Sequence, residues 1–380
     1  VYNHFGPSDL NLWQFDGWSE DGKGGIYFYN DWRSATPWGD TRPDYGRGEV
    51  RQFIHDNALM WLREYRVDGL RYDMTPYIRS VSGSGDDLPE GYSLLKWVNE
   101  AIRAEFPGQL LIAEDMHRDE RITQVDADGA AFHAQWDSSF VHPVREAVIT
   151  ADDADRSMAE VIAAVGQRYN DDAFHRVIYT ESHDEVANGQ TRVPSEIAEG
   201  DPTGWYAQKR STVGAALVLT SPGIPMIFQG QEFLEGGWFR DDVPLDWKRN
   251  EDFQGLARLY SDLIDLRLNR GGVTRGLTGR GLNVHHVDEG SNLLVFQRWL
   301  DHGPGDDVVV VVNLSAEAME YRRIGLPSGG LWKLRFNSDA TLYSSLFGDF
   351  ESFDIEAYEE DADGLQWHGN VSVGSYSVLV

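Results

Sequence analysis

The chain has 380 residues, 41% hydrophobic and 25% charged, which is enough to bury a large core and points to two domains rather than one. Its 33 Lys and Arg against 62 Asp and Glu give a net charge of -29, which argues against nucleic acid and anionic membranes as partners and leaves a neutral ligand as the natural alternative. There is no cysteine, so disulfides, thiolate metal sites and cysteine nucleophiles are excluded. No apolar run approaches the roughly 18 residues that a membrane helix needs.

Residues 5–48 are rich in Gly, Pro, Asp, Trp and Tyr, as in SATPWGDTRPDYGRG, and keep neither the helix nor the strand period, which predicts a folded loop excursion. A helix is expected from Glu49 to about Tyr65, with Val50, Phe53, Ile54, Ala58, Trp61, Leu62 and Tyr65 on one face. It leads into a short strand at VDGLRYD, 67–73. The alternation then repeats: helix 93–105 and strand QLLIAED at 109–115, helix 155–168 and strand RVIYTES at 176–182, helix 206–219 and strand IPMIFQG at 224–230. A last helix spans about 251–268. Strands separated by helices of this length imply right-handed crossovers and a parallel sheet covered on both faces. An open doubly wound sheet would carry a Gly-rich phosphate loop after its first strand, and none is present. Charged residues at many strand ends favour a (β/α)8 TIM barrel instead. Over 272–380 the pattern changes to short alternating or apolar runs such as LNVHHV, NLLVFQRWL and DVVVVVNLS. That predicts a separate antiparallel β-sandwich domain following a catalytic part at 1–271.

In GLRYD the strand period of two puts Arg71 and Asp73 on one face, with Asp73 at the carboxyl end, the active-site mouth of a barrel. A guanidinium one pleat below keeps a carboxylate ionised and oriented, as a nucleophile requires; a buried ion pair at a barrel rim accounts for the pattern equally well. The strand QLLIAE is apolar until Glu114, and desolvation there can weaken its acidity enough for it to donate a proton near neutral pH. Asp115 points to the opposite face. RVIYTES leads into His183 and Asp184, which suit sugar hydroxyls and the positive charge of an oxocarbenium-like state. Each of these alone is an ordinary strand-end residue. Three consecutive strands delivering them to one rim points to glycoside cleavage, and carboxylates about 5 Å apart would imply retention. Metal-dependent hydrolysis is the rival, but only isolated histidines are available.

Together these segments resemble the four short conserved regions of the alpha-amylase superfamily, glycoside hydrolase family 13. VYNH at 1–4 is similar to the end of the first region, GLRYD at 69–73 to the second, IAED at 112–115 to the third and ESHDE at 181–185 to the fourth, in the family's order. The resemblance implies that Asp73 is the nucleophile, Glu114 the general acid/base and Asp184 the transition-state stabiliser, with Arg71, His183 and His4 contacting or orienting the sugar. No cofactor is expected, with calcium as the alternative. Asn3 matches a calcium-binding position of many amylases, although the Asp that opens that region is not in this chain. VYNH would end the third barrel strand, so the chain is expected to be an N-terminally truncated piece lacking the first two strands, with six or fewer parallel strands. The segments HFGPSDLNLW and TPWGDTRPDYGR look most like branching enzymes and trehalose-releasing hydrolases, while SHDEVANG, PMIFQGQEF and the tail resemble 1,4-α-glucan branching enzymes. The implied substrate is then an α-glucan such as glycogen, starch or a maltooligosaccharide, cleaved at an α-1,4 bond and transferred to a 6-hydroxyl. An α-amylase-type or trehalose-releasing hydrolase is the second expectation, and a non-catalytic carbohydrate-binding protein the third. Trp13, Trp18, Tyr27, Trp32 and Trp38 are candidates to stack on glucose rings, with one or two of them touching sugar. A cysteine-free chain fits cytoplasmic residence.

Overall fold

The structure is a computed structural model that describes residues 3–6, 18 and 23–380. Trp13 lies outside the described residues. The chain forms two compact units, Val1–Ser138 with Tyr169–Arg176, and Ser139–Arg168 with Val177–Val380.

The first unit contains α1 (Gly48–Arg63), β1 (Gly69–Tyr72), α2 (Pro76–Arg79), α3 (Pro89–Glu105), β2 (Leu110–Ala113) and β3 (Ala134–Trp136). β1 runs parallel to β2, with Arg71 opposite Ile112 and Tyr72 opposite Ala113, and β2 runs parallel to β3. The strands approach closely where they begin: a Cβ on Gly69 would sit 2.4 Å from the Leu110 carbonyl oxygen, so only glycine fits. One apolar core holds this unit together, built from Val50, Ile54, Ala58, Leu59 and Leu62 of α1, Leu94, Leu95, Val98 and Ile102 of α3, and the strand residues Tyr72, Leu111 and Ala113. The face of α1 that is buried is narrower than its sequence suggests. Phe53, Trp61 and Tyr65 stand on the adjacent stripe and are exposed, because a stripe at four-residue spacing through 50, 54, 58 and 62 already fills the contact.

His133 closes the edge between β2 and β3. Its N–H donates to Leu111 O at 2.8 Å, and its Nδ1 accepts the Leu111 N–H at 3.1 Å. Burial, with Arg103 and His175 adding repulsion, lowers its pKa to about 4. The unfolded chain therefore takes up a proton that the folded chain refuses between pH 6.5 and about 4. Stability is expected to fall as pH drops through that window and to level off below it. His133→Asn, which still accepts from Leu111, should flatten this part of the profile; identical urea-midpoint profiles for the two proteins would refute the assignment.

The second unit begins within α4 (Ser138–Ile149) and continues through α5 (Met158–Gly166), β4 (Arg176–Ile178, its Arg176 belonging to the first unit), α6 (Val193–Ile197), α7 (Trp205–Thr220), β5 (Ile224–Pro225), α8 (Lys248–Asp252) and α9 (Gln254–Arg267). β4 and β5 are parallel, Val177 opposite Ile224. The described residues thus contain five parallel strands, each but β2 followed by an α-helix, three pairing in the first unit and two in the second. Both later strands are shorter than the segments 176–182 and 224–230 suggest. The Thr180 carbonyl is taken by Arg145 Nη1 at 2.9 Å, Pro225 offers no N–H, and Gln231 Oε1 accepts the Phe228 N–H at 3.2 Å, turning the chain away from the ladder.

The antiparallel part comprises β6 (Gly281–Asp288), β7 (Leu293–Trp299), β8 (Val308–Asn313), β9 (Met319–Leu326), β10 (Gly330–Trp332), β11 (Ile355–Ala362), β12 (Leu365–Val373) and β13 (Ser377–Leu379). Two four-stranded sheets, β13-β8-β7-β6 and β10-β11-β12-β9, face each other across a core of Leu293, Val295, Val311, Ile324, Leu326, Val371 and Val373. The opposite face of the first sheet, Leu294, Phe296, Val310 and Val312, packs on α7 and α9 in a second core. Covered on both faces, β8 reads as the apolar run 308–312 and β7 opens on the apolar run 293–296. By compactness, the helices from within α4 onward and the sandwich form one unit.

α7 is buried around its whole circumference, polar residues included. Lys209 of α7 ion-pairs with Asp339 at 2.6 Å, both almost fully buried, and donates to Ser377 Oγ at 3.0 Å. Burial pushes the Lys209 pKa down while Asp339 holds it up. Lys209→Ala would strand the Asp339 carboxylate and is expected to cost about 3–5 kcal/mol; denaturant unfolding within 1 kcal/mol or so of the parent would contradict this.

Candidate active site

Because β1 and β2 run in register, the residues that follow them, Asp73 and Glu114, leave the sheet at the same level. Arg71, one pleat below Asp73, spans the two. Its Nη1 donates to Asp73 Oδ1, and its Nη2 lies 2.6 Å from Glu114 Oε2. The second contact is an ion pair whose N–H axis is bent away from the acceptor, since Nη2 makes no aligned hydrogen bond. The Arg71 guanidinium lies 4.6 Å over the ring of Trp136, which exits β3. An aromatic face beneath and two carboxylates at the rim fix its plane.

The two carboxylates are in different environments. Asp73 is about half exposed (48%), whereas Glu114 is nearly buried (7%). Asp73 Oδ2 accepts from Asn3 Nδ2 at 2.8 Å, and the same amide reaches Asp73 O at 3.1 Å. Glu114 Oε2 accepts the Met74 N–H at 2.8 Å. Desolvation is therefore not the only influence on Glu114: a guanidinium and an amide N–H also face it. Asp115 turns to the other side, as its strand position requires, and is bound by Thr75 Oγ1 at 2.8 Å and Arg79 Nη2 at 3.0 Å.

His4 stacks on Trp38 with ring centroids 4.7 Å apart, Trp38 meets the edge of Tyr77 at 5.4 Å, and His4 Nδ1 bonds Asn3 Oδ1. Burial lowers the His4 pKa, with the Asp73 charge opposing. The first unit thus brings His4, Arg71, Asp73 and Glu114 together, with Asn3 and Trp38 beside them. Trp18 and Trp32 are exposed, and Tyr27 packs in a cluster with Phe5, Phe28 and Phe53. Among the described residues no three His, Asp or Glu side chains gather as a metal site. With its Oδ1 on His4 and its Nδ2 on Asp73, the Asn3 amide is committed within the cluster.

His183 and Asp184 belong to the second unit, on the turn after β4. Both side chains are about half exposed, with His183 Nε2 3.3 Å from Asp184 Oδ2. Ser182 Oγ accepts the N–H groups of Asp184 and Glu185 at 3.3 and 3.2 Å, which shapes the turn. The neighbouring Glu181 is buried, held by the Val193 N–H at 2.7 Å and Arg192 Nη1 at 3.4 Å. Burial raises its pKa against both donors.

Sequence reasoning did not find Trp136 beneath Arg71 or the Met74 N–H on Glu114. Three residues of β3 are too few to show a period, and a backbone donor leaves no residue-type signal. Asp137, at the exit of β3, is a counterexample to reading every strand-end carboxylate as functional: it is fully buried by Arg176 Nη1 at 3.0 Å and the Tyr169 hydroxyl at 2.8 Å.

Parallel strands with carboxylates at their carboxyl ends, followed by an antiparallel sandwich, are the arrangement of a (β/α)-barrel type of enzyme domain with an all-β domain after it. The description of the alpha amylase catalytic domain matches residues 10–259, and that of the alpha amylase C-terminal all-beta domain matches residues 284–380. The chain belongs to the alpha-amylase family. It is similar to the 1,4-alpha-glucan branching enzymes of Marinobacter nauticus, 28% identical over 90% of this chain and 56% of that one, and of Corynebacterium jeikeium, 30% identical over 90% and 49%. It spans about half the length of the curated relatives it matches. Among solved structures it shares its fold with a pullulanase complexed with maltotetraose from an Anoxybacillus species, at a TM-score of 0.63 and 20% identity over 93% of this chain and 50% of that one.

Arg71→Lys keeps the positive charge but loses the planar fork. The variant is expected to retain one carboxylate and release the other; a crystal structure with Asp73 and Glu114 both held as before would count against the bridging role.

Proposed function

We propose that this chain carries the cleavage machinery of a retaining α-glucan-active enzyme, most closely a 1,4-α-glucan branching enzyme. The observation that carries the reading is the single guanidinium of Arg71 shared by Asp73 and Glu114 at adjacent strand ends. Asp73 is the nucleophile: a carboxylate oxygen attacks the anomeric carbon while Glu114 donates a proton to the departing glycosidic oxygen. A glucosyl ester on Asp73 results. In the second half, a 6-hydroxyl of an acceptor chain attacks that ester, gives its proton to Glu114 and frees Asp73. Arg71 keeps Asp73 aimed. Asp184 stabilises the oxocarbenium-like charge, and His4 and His183 hydrogen-bond the sugar at the cleavage point. The Trp38 face beside His4 suits stacking against a glucose ring.

The substrate is an α-glucan such as glycogen, starch or a maltooligosaccharide, and the acceptor is a second glucan segment, consistent with glycogen biosynthesis. The relatives named branching enzymes support transfer over hydrolysis. No helix among the described residues is long and apolar enough to cross a membrane, and the absence of cysteine supports a reducing, cytoplasmic setting.

The test is incubation of the full-length protein with amylose, following iodine absorbance and reducing ends. Falling absorbance at constant reducing ends is the expected outcome; new reducing ends would mean hydrolysis, and no change in either would mean binding alone. Asp73→Asn should lower the rate by about 10⁴-fold or more. Full activity in that variant would remove Asp73 as nucleophile.

A further inference from the structure

We propose that Thr75, backed by Asp115 and Arg79, is the positioning residue that sets Glu114 against Asp73. The proposal rests on the reading that these two carboxylates act as a pair. Two residues just past the strand ends, beyond Asp73 and Glu114, are conformationally unusual: Met74 has φ 36° and Met116 φ 58°, the left-handed region, without being glycine. At Met74 this turn aims a backbone N–H at Glu114 Oε2. A conformation of that kind persists only where neighbouring contacts over-determine it.

Thr75 supplies those contacts. Its N–H donates to Glu114 O at 3.0 Å, and its hydroxyl lies 3.1 Å from the same carbonyl and 2.8 Å from Asp115 Oδ2. One residue of the β1 exit thereby holds the backbone of the proposed acid/base and the side chain of the residue after it. Asp115 is buried, which is tolerable because Arg79 donates to both its oxygens, Nη2 at 3.0 Å and Nε at 3.3 Å. Arg79 is itself secured by Asp86 at 2.7 Å, and Asp86 by Arg121 at 2.8 Å. Thr75 is fully buried and does not face the site, so its effect is transmitted through Glu114.

The chemistry gives a readout that simple destabilisation does not share. Glu114 matters most when the leaving oxygen needs a proton, and fluoride needs little. The experiment compares Thr75→Val, which keeps the shape and removes the hydroxyl, with Thr75→Ser, which restores it, in the full-length protein. Thr75→Val is expected to lower kcat on amylose about tenfold to a hundredfold, with KM within about twofold, and to spare the first-step rate on α-maltosyl fluoride. Thr75→Ser should recover most of the loss. Equal losses on both substrates, no loss on amylose, or an equal loss in Thr75→Ser would each overturn the proposal. If the parent protein is inactive on every glucan, the functional reading fails separately. The crystal structure of Thr75→Val then decides: Glu114 displaced from the Met74 N–H supports the positioning role, and Glu114 unmoved ends it.

Discussion

A single planar cation organises the site. Arg71 can touch Asp73 and Glu114 at once only because β1 and β2 are parallel and paired without offset, so that positions 71 and 112 are neighbours and the residues beyond them finish level. A register slip of one residue would turn either carboxylate to the far face of the sheet. Gly69 helps fix that register by permitting the close approach to Leu110. The Trp136 ring beneath the guanidinium brings the third strand into the same arrangement. The charge balance of the pocket and the strand pairing are therefore one constraint seen at two scales.

Much of this was legible in the amino-acid order. The three- and four-residue recurrence of Leu94, Leu95, Val98 and Ile102 marks a helix that exists, and the polar exits of GLRYD and QLLIAED mark the strand ends that meet. What could not be read is set by contacts distant in sequence or by the backbone itself. β3 is too short for a period, the Met74 turn has no residue-type signature, and Phe53, Trp61 and Tyr65 look like core until the neighbouring stripe is seen to fill it. Asp137 has the same strand-end placement as Asp73 and a purely structural environment, which only the positions of Arg176 and Tyr169 reveal.

Only Lys23, Lys96, Lys209, Lys248 and Lys333 stand among the 33 Lys and Arg residues, and this preference for arginine has a structural counterpart. Several arginines are buried against backbone carbonyls: Arg42 serves those of Ala35, Tyr77, Ser80 and Val81, Arg210 those of Val148 and Thr150, and Arg298 those of Thr220, Leu277, Gly279 and Gly281. A five-donor fork satisfies several carbonyls at chain turns from one side chain, which an ammonium of three donors on a flexible stem does less well. Arg210 and Arg267 are lowered to about 10 by burial, the electrostatic cost of this use.

The sheet β13-β8-β7-β6 is sealed by helices on one side and by its partner sheet on the other, with Lys209 and Asp339 locked between α7 and the segment after β10. Such an arrangement limits how the gene can be rearranged. A recombination that exchanged only the sandwich would expose Leu294, Phe296, Val310 and Val312 and leave an orphaned charge on whichever half inherited it. Successful chimaeras should therefore carry α7, α9 and the sheet as one heritable block.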